Sequence, residues 1–182
     1  MRWGLLAVGF VGIVALSVAT IAPAHAAVIG PANGDFEAGS TGWAPADSGT
    51  LTVGAGQPVN DGAAAGHVQS AAAAPVTIRT QYWLTPAVAT RQYTLSLAVR
   101  IPAATMTSVT ARLDLVTAAG AVLVSNAKVQ AGPTVGYVTI TTTSVTAPAG
   151  TEHALVVITG AATAAGARFS VDDLVISEVI PP

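Results

Sequence analysis

Short stretches of alternating apolar and polar residues recur along most of the chain and predict β-strands. The clearest covers residues 93–101, where Tyr, Leu, Leu, Val and Ile occupy every second position between small or polar residues. Residues 109–115 and 76–84 repeat the pattern. Because successive side chains of a strand point to opposite faces, each stretch is expected to bury one face and expose the other.

Weaker strands are predicted between Gly, Pro and Asn-Asp turn signals such as Asn60-Asp61-Gly62. Their ranges are 51–53, 67–70, 122–124, 137–142, 154–159 and 169–176. No helical stripe of useful length follows Ala27, and the Ala-rich runs at 63–65, 71–74 and 161–165 are too short to predict helices. Many short strands at this spacing favour an all-β sandwich or barrel.

The first 26 residues have the features of an export signal. Arg2 precedes an apolar run over residues 3–22, and Ala24-His25-Ala26 supplies the small-x-small pattern of a cleavage site. We expect a signal helix over residues 1–26 that is removed after Ala26, leaving one secreted, extracellular domain over residues 27–182. The alternative is an uncleaved membrane anchor, because the apolar run approaches the roughly 20 residues that a bilayer span needs.

Composition narrows the class of protein. The chain is 52% hydrophobic and 9% charged, which allows a buried core, and its formal net charge of -2 excludes a basic surface for nucleic acid. It contains no cysteine, so disulfides, thiolate metal sites and cysteine nucleophiles are excluded. A single lysine, Lys128, beside six arginines is typical of a GC-rich bacterial genome.

Short motifs at both ends of the predicted domain resemble one family of secreted modules. Asn33-Gly34-Asp35-Phe36-Glu37 and Gly42-Trp43 lie near the start, and residues 169–176, Phe-Ser-Val-Asp-Asp-Leu-Val-Ile, lie near the end. Together with residues 92–100 and 146–151, they are similar to carbohydrate-binding modules of families four, nine and twenty-two. This resemblance implies a galactose-binding-like jelly roll of two antiparallel sheets, with Trp43 in its core, and suggests a carbohydrate partner.

The same motifs predict a metal site. The first and last strands of a jelly roll can lie side by side, which would bring Glu37 and Asp172 together, and two carboxylates repel unless a cation neutralises them. The family resemblance implies a structural calcium at this position, and we assign Glu37 and Asp172 to it, with Asp35 and Asp173 as further candidates. The alternative is that these acids cap turns or face solvent.

Sugar binding needs aromatic faces and planar hydrogen-bonding groups. Arg79, Gln81 and Trp83 should align on the outward face of the strand predicted over residues 76–84. His67 and Gln69 alternate on another strand and would extend that face. The alternative for Trp83 is that it covers a neighbouring loop or sheet edge.

No catalytic constellation is apparent. His67 and His153 are far apart in sequence and lie in no recognisable triad or metal motif. The sequence therefore predicts a non-catalytic module that binds a polysaccharide or a cell-wall glycan. Because the chain is poor in aromatic residues, one alternative is a structural or interaction protein of the cell envelope that keeps the fold without sugar affinity. A small hydrolase would require Glu37, Asp172 or Asp173 in an open cleft.

Overall fold

The structure is a computed structural model that describes residues 26–54, 58–81 and 85–179. These residues contain no α-helix, and therefore no helix long and apolar enough to cross a membrane. They form twelve β-strands: β1 Ala26–Gly30, β2 Trp43–Pro45, β3 Thr50–Val53, β4 Gly66–Gln69, β5 Val76–Thr80, β6 Gln92–Arg100, β7 Met106–Val116, β8 Val122–Ala131, β9 Val138–Thr141, β10 Val145–Thr146, β11 His153–Ala162 and β12 Arg168–Val179.

The strands form two antiparallel sheets, which confirms the predicted all-β sandwich. The seven-stranded sheet has the order β10-β6-β12-β4-β3, with β1 also paired to β12 and β9 to β6. The five-stranded sheet has the order β2-β5-β11-β7-β8. Strands distant in sequence thus become neighbours, and the core lies between the two sheets.

The core follows the alternation that the sequence predicts. The apolar positions of residues 93–101 lie on β6 and just beyond it, and all are at most 1% exposed. The inward positions of β7 within residues 109–115 are fully buried. Each large apolar side chain removed from water in this way contributes about 1.5–3 kcal/mol.

The strand predicted over residues 76–84 is described only in part. β5 ends at Thr80, with Val76 and Ile78 buried and Arg79 exposed, as predicted. Residues 82–84, which include Trp83, lie outside the described residues. Residues 1–25 also lie outside them, so the signal helix and its cleavage stay predictions.

Other strands differ from the prediction in extent. β8 continues to Ala131, well beyond the predicted range 122–124. It is an edge strand with most of its residues exposed, so no buried face imposes an alternating pattern on it. β1, β2 and β10 were not predicted, because short strands are defined by their pairing partners more than by their own sequence.

The two terminal motifs meet in space. β12 bulges between Asp172 and Val175, and the Leu174 amide donates to the Gly34 carbonyl at 3.0 Å. The backbones are so close that a Cβ on Gly34 would lie 2.1 Å from the Leu174 carbonyl oxygen. The N-terminal turn is therefore fitted to the bulge of the last strand, which explains the glycine of the first motif.

Candidate functional site

A cavity of about 460 Å³ lies against the outer face of the seven-stranded sheet. Its walls include Pro58 and Pro102, which flank the sheet. Polar side chains from four adjacent strands line it: Thr52 of β3, His67 and Gln69 of β4, Arg100 of β6, and Arg168 and Ser170 of β12.

Strand register explains why these side chains converge. Ser170 lies opposite His67 on one side and opposite Arg100 on the other. His67 in turn lies opposite Thr52, so a polar row crosses four strands. Because adjacent strands are about 4.8 Å apart, this row is roughly 14 Å long. Gln69 and Arg168 lie opposite each other in the next outward row.

His67 in this row is held by a hydrogen bond and is uncharged at neutral pH. His67 Nδ1 and Ser170 Oγ are 2.8 Å apart, while His67 Nε2 is buried without a hydrogen-bond partner among the described residues. Burial, and secondarily the Arg100 guanidinium, lower the pKa of His67 below its ordinary 6.5. At neutral pH the imidazole is therefore a donor or acceptor of hydrogen bonds rather than a charge.

One wall of the cavity is held by a tyrosine and by carboxylates. The Tyr137 hydroxyl donates to the Pro58 carbonyl at 2.8 Å, and burial raises the pKa of Tyr137 to about 12. The Asn60 amide donates to Asp172 Oδ2 at 2.9 Å, and Asn60 Nδ2 donates to Asp173 Oδ2 at 2.6 Å. These bonds fix the segment that begins at Pro58 over the sheet.

Three of the four acids predicted to bind calcium, Glu37, Asp172 and Asp173, contact the loop over residues 60–64. Glu37 Oε1 accepts from the Ala63 and Ala64 amides at 2.7 and 2.9 Å. Asp172 is fully buried, and this burial raises its pKa while the amides of Asn60, Asp173 and Asp61 oppose the rise. Asp35 Oδ1 accepts from the Glu37 amide at 3.3 Å.

These contacts satisfy the carboxylates with amide donors. Within residues 26–54, 58–81 and 85–179, no group of three or more His, Cys, Asp or Glu side chains is placed to hold a metal ion. The acids as arranged fit a seam of hydrogen bonds better than a cage of cation ligands. Calcium at Glu37, Asp172, Asp35 and Asp173 stays a prediction.

The five residues predicted to bind sugar do not form one face. β4 belongs to the seven-stranded sheet, whereas β5 belongs to the five-stranded sheet. His67 and Gln69 therefore lie in the cavity described above, while Arg79 and Gln81 line a smaller one of about 350 Å³ on the opposite side of the sandwich. The expectation that His67 and Gln69 extend the Arg79 face is wrong, because sheet membership depends on pairing partners that the local pattern does not reveal.

Four polar side chains of the larger cavity were not predicted as site residues: Thr52, Arg100, Arg168 and Ser170. The alternation over residues 93–101 puts Arg100 at an outward position, and Arg168 and Ser170 alternate with buried Phe169 and Val171. The alternation of inward and outward residues, which predicts that Arg79 faces outward, also predicts that these side chains face outward. The sequence does not show that β6, β12 and β4 are neighbours in one sheet, so it does not show that these side chains converge.

Comparison with solved structures identifies the fold. A family 22 carbohydrate-binding module, the C-terminal one of Clostridium thermocellum Xyn10B, matches with a TM-score of 0.56 and 16% identity over 80% of this chain and 94% of that chain. A family 16 carbohydrate-binding module matches with a TM-score of 0.59 and 12% identity over 80% and 96%. The chain has the fold of carbohydrate-binding modules. A cyclase from Fischerella sp. TAU shares it, with a TM-score of 0.64 and 13% identity over 86% and 98%.

Larger proteins carry this fold as one part. The chain spans 24% of the length of an α-L-arabinofuranosidase and 21% of a bacteriophage CBA120 tailspike protein that it matches. No protein-family model and no curated protein matches the sequence. The identities of these structures are low enough that the comparison establishes the fold alone.

Proposed function

We propose that the chain is a secreted, non-catalytic module that binds a polysaccharide or a cell-wall glycan on the outer face of its seven-stranded sheet. The observation that carries the proposal is the cavity of about 460 Å³ lined by His67, Gln69, Arg100, Arg168 and Ser170. The carbohydrate-binding modules of the same fold add support, as does the export signal that the sequence predicts over residues 1–26.

The cavity offers the groups that sugar hydroxyls need. Gln69 supplies a planar amide, and Arg100 and Arg168 supply forked guanidinium donors. The apolar rings of Pro58 and Pro102 provide surface against which the C–H groups of a sugar ring can be buried. Trp83, outside the described residues, stays a predicted ligand residue, but Arg79 and Gln81, which precede it, line the smaller cavity.

The carboxylates support a non-catalytic role. A glycosidase needs two carboxyl groups beside the scissile bond in an open cleft. Asp172 is fully buried and accepts backbone hydrogen bonds, and neither Asp172 nor Glu37 lines the larger cavity. A hydrolase built on these residues therefore has no support from their placement.

Affinity electrophoresis of residues 27–182 through gels that contain single soluble polysaccharides tests the proposal. At least one polysaccharide should retard the protein, and His67→Ala and Gln69→Ala should reduce the retardation at least severalfold. Arg79→Ala and Gln81→Ala are the matched controls on the opposite face and should migrate as the wild type does. Unretarded migration of the wild type through neutral and acidic polysaccharides alike would refute glycan binding.

One observation favours a second candidate, an interaction protein of the cell envelope. β8 is a ten-residue edge strand of the five-stranded sheet, and Val122, Leu123 and Val129 are 52%, 40% and 56% exposed. Long edge strands with few charges invite pairing with another strand, and Lys128 is the one charged residue of β8.

Sedimentation velocity separates this candidate from glycan binding. Pairing through β8 predicts self-association of residues 27–182 that a Val129→Lys substitution weakens, since a charge on an edge strand opposes strand addition. A monomer at all concentrations would remove the support that β8 gives to this candidate.

A further inference from the structure

The larger cavity contains two arginines, Arg100 and Arg168, whose side chains have no partner among the described residues. The guanidinium groups of Arg100 and Arg168 make no ion pair or side-chain hydrogen bond with any described residue. By contrast, Arg91 pairs with Glu178, and Arg112 pairs with Asp114 at 2.8 Å. Two arginines are thus neutralised within the fold, and two are left available in the same cavity.

No carboxylate lines this cavity among the described residues. Asp172 and Asp173, which follow Ser170 along β12, accept hydrogen bonds from Asn60, and Asp172 is fully buried. The chain as a whole carries a formal net charge of -2, whereas this cavity is locally cationic. Fields in such clefts attract ligands of the opposite sign.

Register places the two guanidinium groups on one ligand-sized surface. Arg168 precedes Ser170 by two residues on β12, so both face outward, and Ser170 lies directly opposite Arg100 on β6. Arg100 and Arg168 therefore approach the cavity from adjacent strands, with the Ser170 hydroxyl beside them. A guanidinium group binds a carboxylate through two parallel N–H···O bonds, which lysine cannot do.

From this arrangement we infer that the glycan bound in the cavity is an acidic one, whose uronic-acid carboxylates pair with Arg100 and Arg168. The inference rests on the proposed function and specifies the class of ligand. Neutral His67 and Gln69 then hydrogen-bond the hydroxyls of the same sugar units, while the arginines select the charge.

Isothermal titration calorimetry with two matched polymers tests the inference. The probes are polygalacturonate and the same polymer after reduction of its carboxyl groups, which keeps the sugar backbone and removes the charge. Residues 27–182 should bind polygalacturonate at least about tenfold more tightly, and added salt should weaken that binding. Dextran sulfate serves as the sulfate-bearing probe.

Arginine variants locate the effect. Arg100→Gln and Arg168→Gln should each lower the affinity for polygalacturonate about tenfold or more, with little change for the reduced polymer. Arg79→Gln removes the same charge from the exposed face of the other sheet and should bind as the wild type does. Arg100→Lys, which keeps the charge and loses the fork, should bind between the wild type and Arg100→Gln; thermal melts establish that each variant is folded.

The outcomes distinguish failure of the acidic-ligand inference from failure of the proposed glycan binding. Equal binding of the charged and reduced polymers, unaffected by Arg100→Gln and Arg168→Gln, would overturn the acidic-ligand inference and leave glycan binding standing. Tighter binding of dextran sulfate than of polygalacturonate would overturn the assignment to carboxylates. Failure of every polymer, neutral or charged, to bind would refute the proposed function itself.

Discussion

Individual glycines show how closely the two ends of the domain are fitted. Gly34 touches the Leu174 carbonyl, and Gly66 lies against the ring of Phe36, where a Cβ would be only 2.6 Å from a ring carbon. Phe36 itself is fully buried, and its ring centroid is 5.2 Å from that of Trp43. The N-terminal motif that resembles the family therefore packs into the core, and the expected burial of Trp43 is confirmed.

Gly34→Ala should destabilise the domain by about 1–3 kcal/mol, because the added methyl group meets a backbone carbonyl that can move only with the β12 bulge. Urea denaturation of the purified variant measures this change. Gly136→Ala is the control, since a Cβ there meets nothing within 4 Å. Equal stability of Gly34→Ala and the wild type would contradict the described contact.

His67 predicts a particular dependence of stability on pH. Its pKa is lowered in the folded state by burial and by Arg100, so below an ordinary value of 6.5 the unfolded state binds more protons. The stability that neutral His67 permits is present above pH 6.5 and is lost as the pH falls through the lowered pKa. Denaturation curves between about pH 5 and pH 7 should therefore show a shallower decline for His67→Gln than for the wild type. Parallel curves would contradict this.

For the strands, the sequence predicts which faces are buried but not how the strands are ordered in the sheets. Alternation correctly gave the buried faces of β6 and β7, because one face of each packs on the core and the other does not. It did not reveal that β4 and β5 belong to different sheets, although they are neighbours along the chain. Sheet order arises from long-range pairing, so the convergence of Arg100, Ser170 and His67 could be recognised only in the folded chain.

The loop over residues 60–64 depends on carboxylates supplied by distant elements. Glu37→Ala should speed hydrogen exchange at the Ala63 and Ala64 amides and lower stability by about 1 kcal/mol, because both amides lose their acceptor. The experiment is made with a chelator present, so that metal binding does not contribute. Glu152→Ala, which removes an exposed carboxylate without a side-chain hydrogen bond to the described residues, should leave both amides unchanged. Equal exchange in the two variants would exclude the proposed anchoring.

At the scale of the whole molecule, the sandwich has two outer faces with different chemistry. The seven-stranded sheet presents the larger, arginine-containing cavity, and the five-stranded sheet presents the smaller one and the exposed strand β8. The fold class followed from the sequence because many short alternating strands have few other solutions. The binding face did not follow, because a fold of this kind serves several functions.

Calcium binding would affect the stability of the whole domain, because a ligand that binds only the folded state stabilises that state. If calcium binds at Glu37 and Asp172, saturation at a hundred times the dissociation constant adds about 2.7 kcal/mol and raises the melting temperature. Melts of residues 27–182 with millimolar calcium and with a chelator measure this. Glu37→Gln should remove the difference, and identical melts of the wild type would exclude a structural calcium.

Nuclear magnetic resonance can show whether a glycan binds the outer face of the seven-stranded sheet. Amide resonances of isotopically labelled residues 27–182 are followed while oligogalacturonate is added. Shifts should concentrate at Thr52, His67, Gln69, Arg100, Arg168 and Ser170, with Arg79 and Gln81 unaffected. Shifts confined to Arg79 and Gln81, or no shifts with any oligosaccharide, would contradict glycan binding at this face.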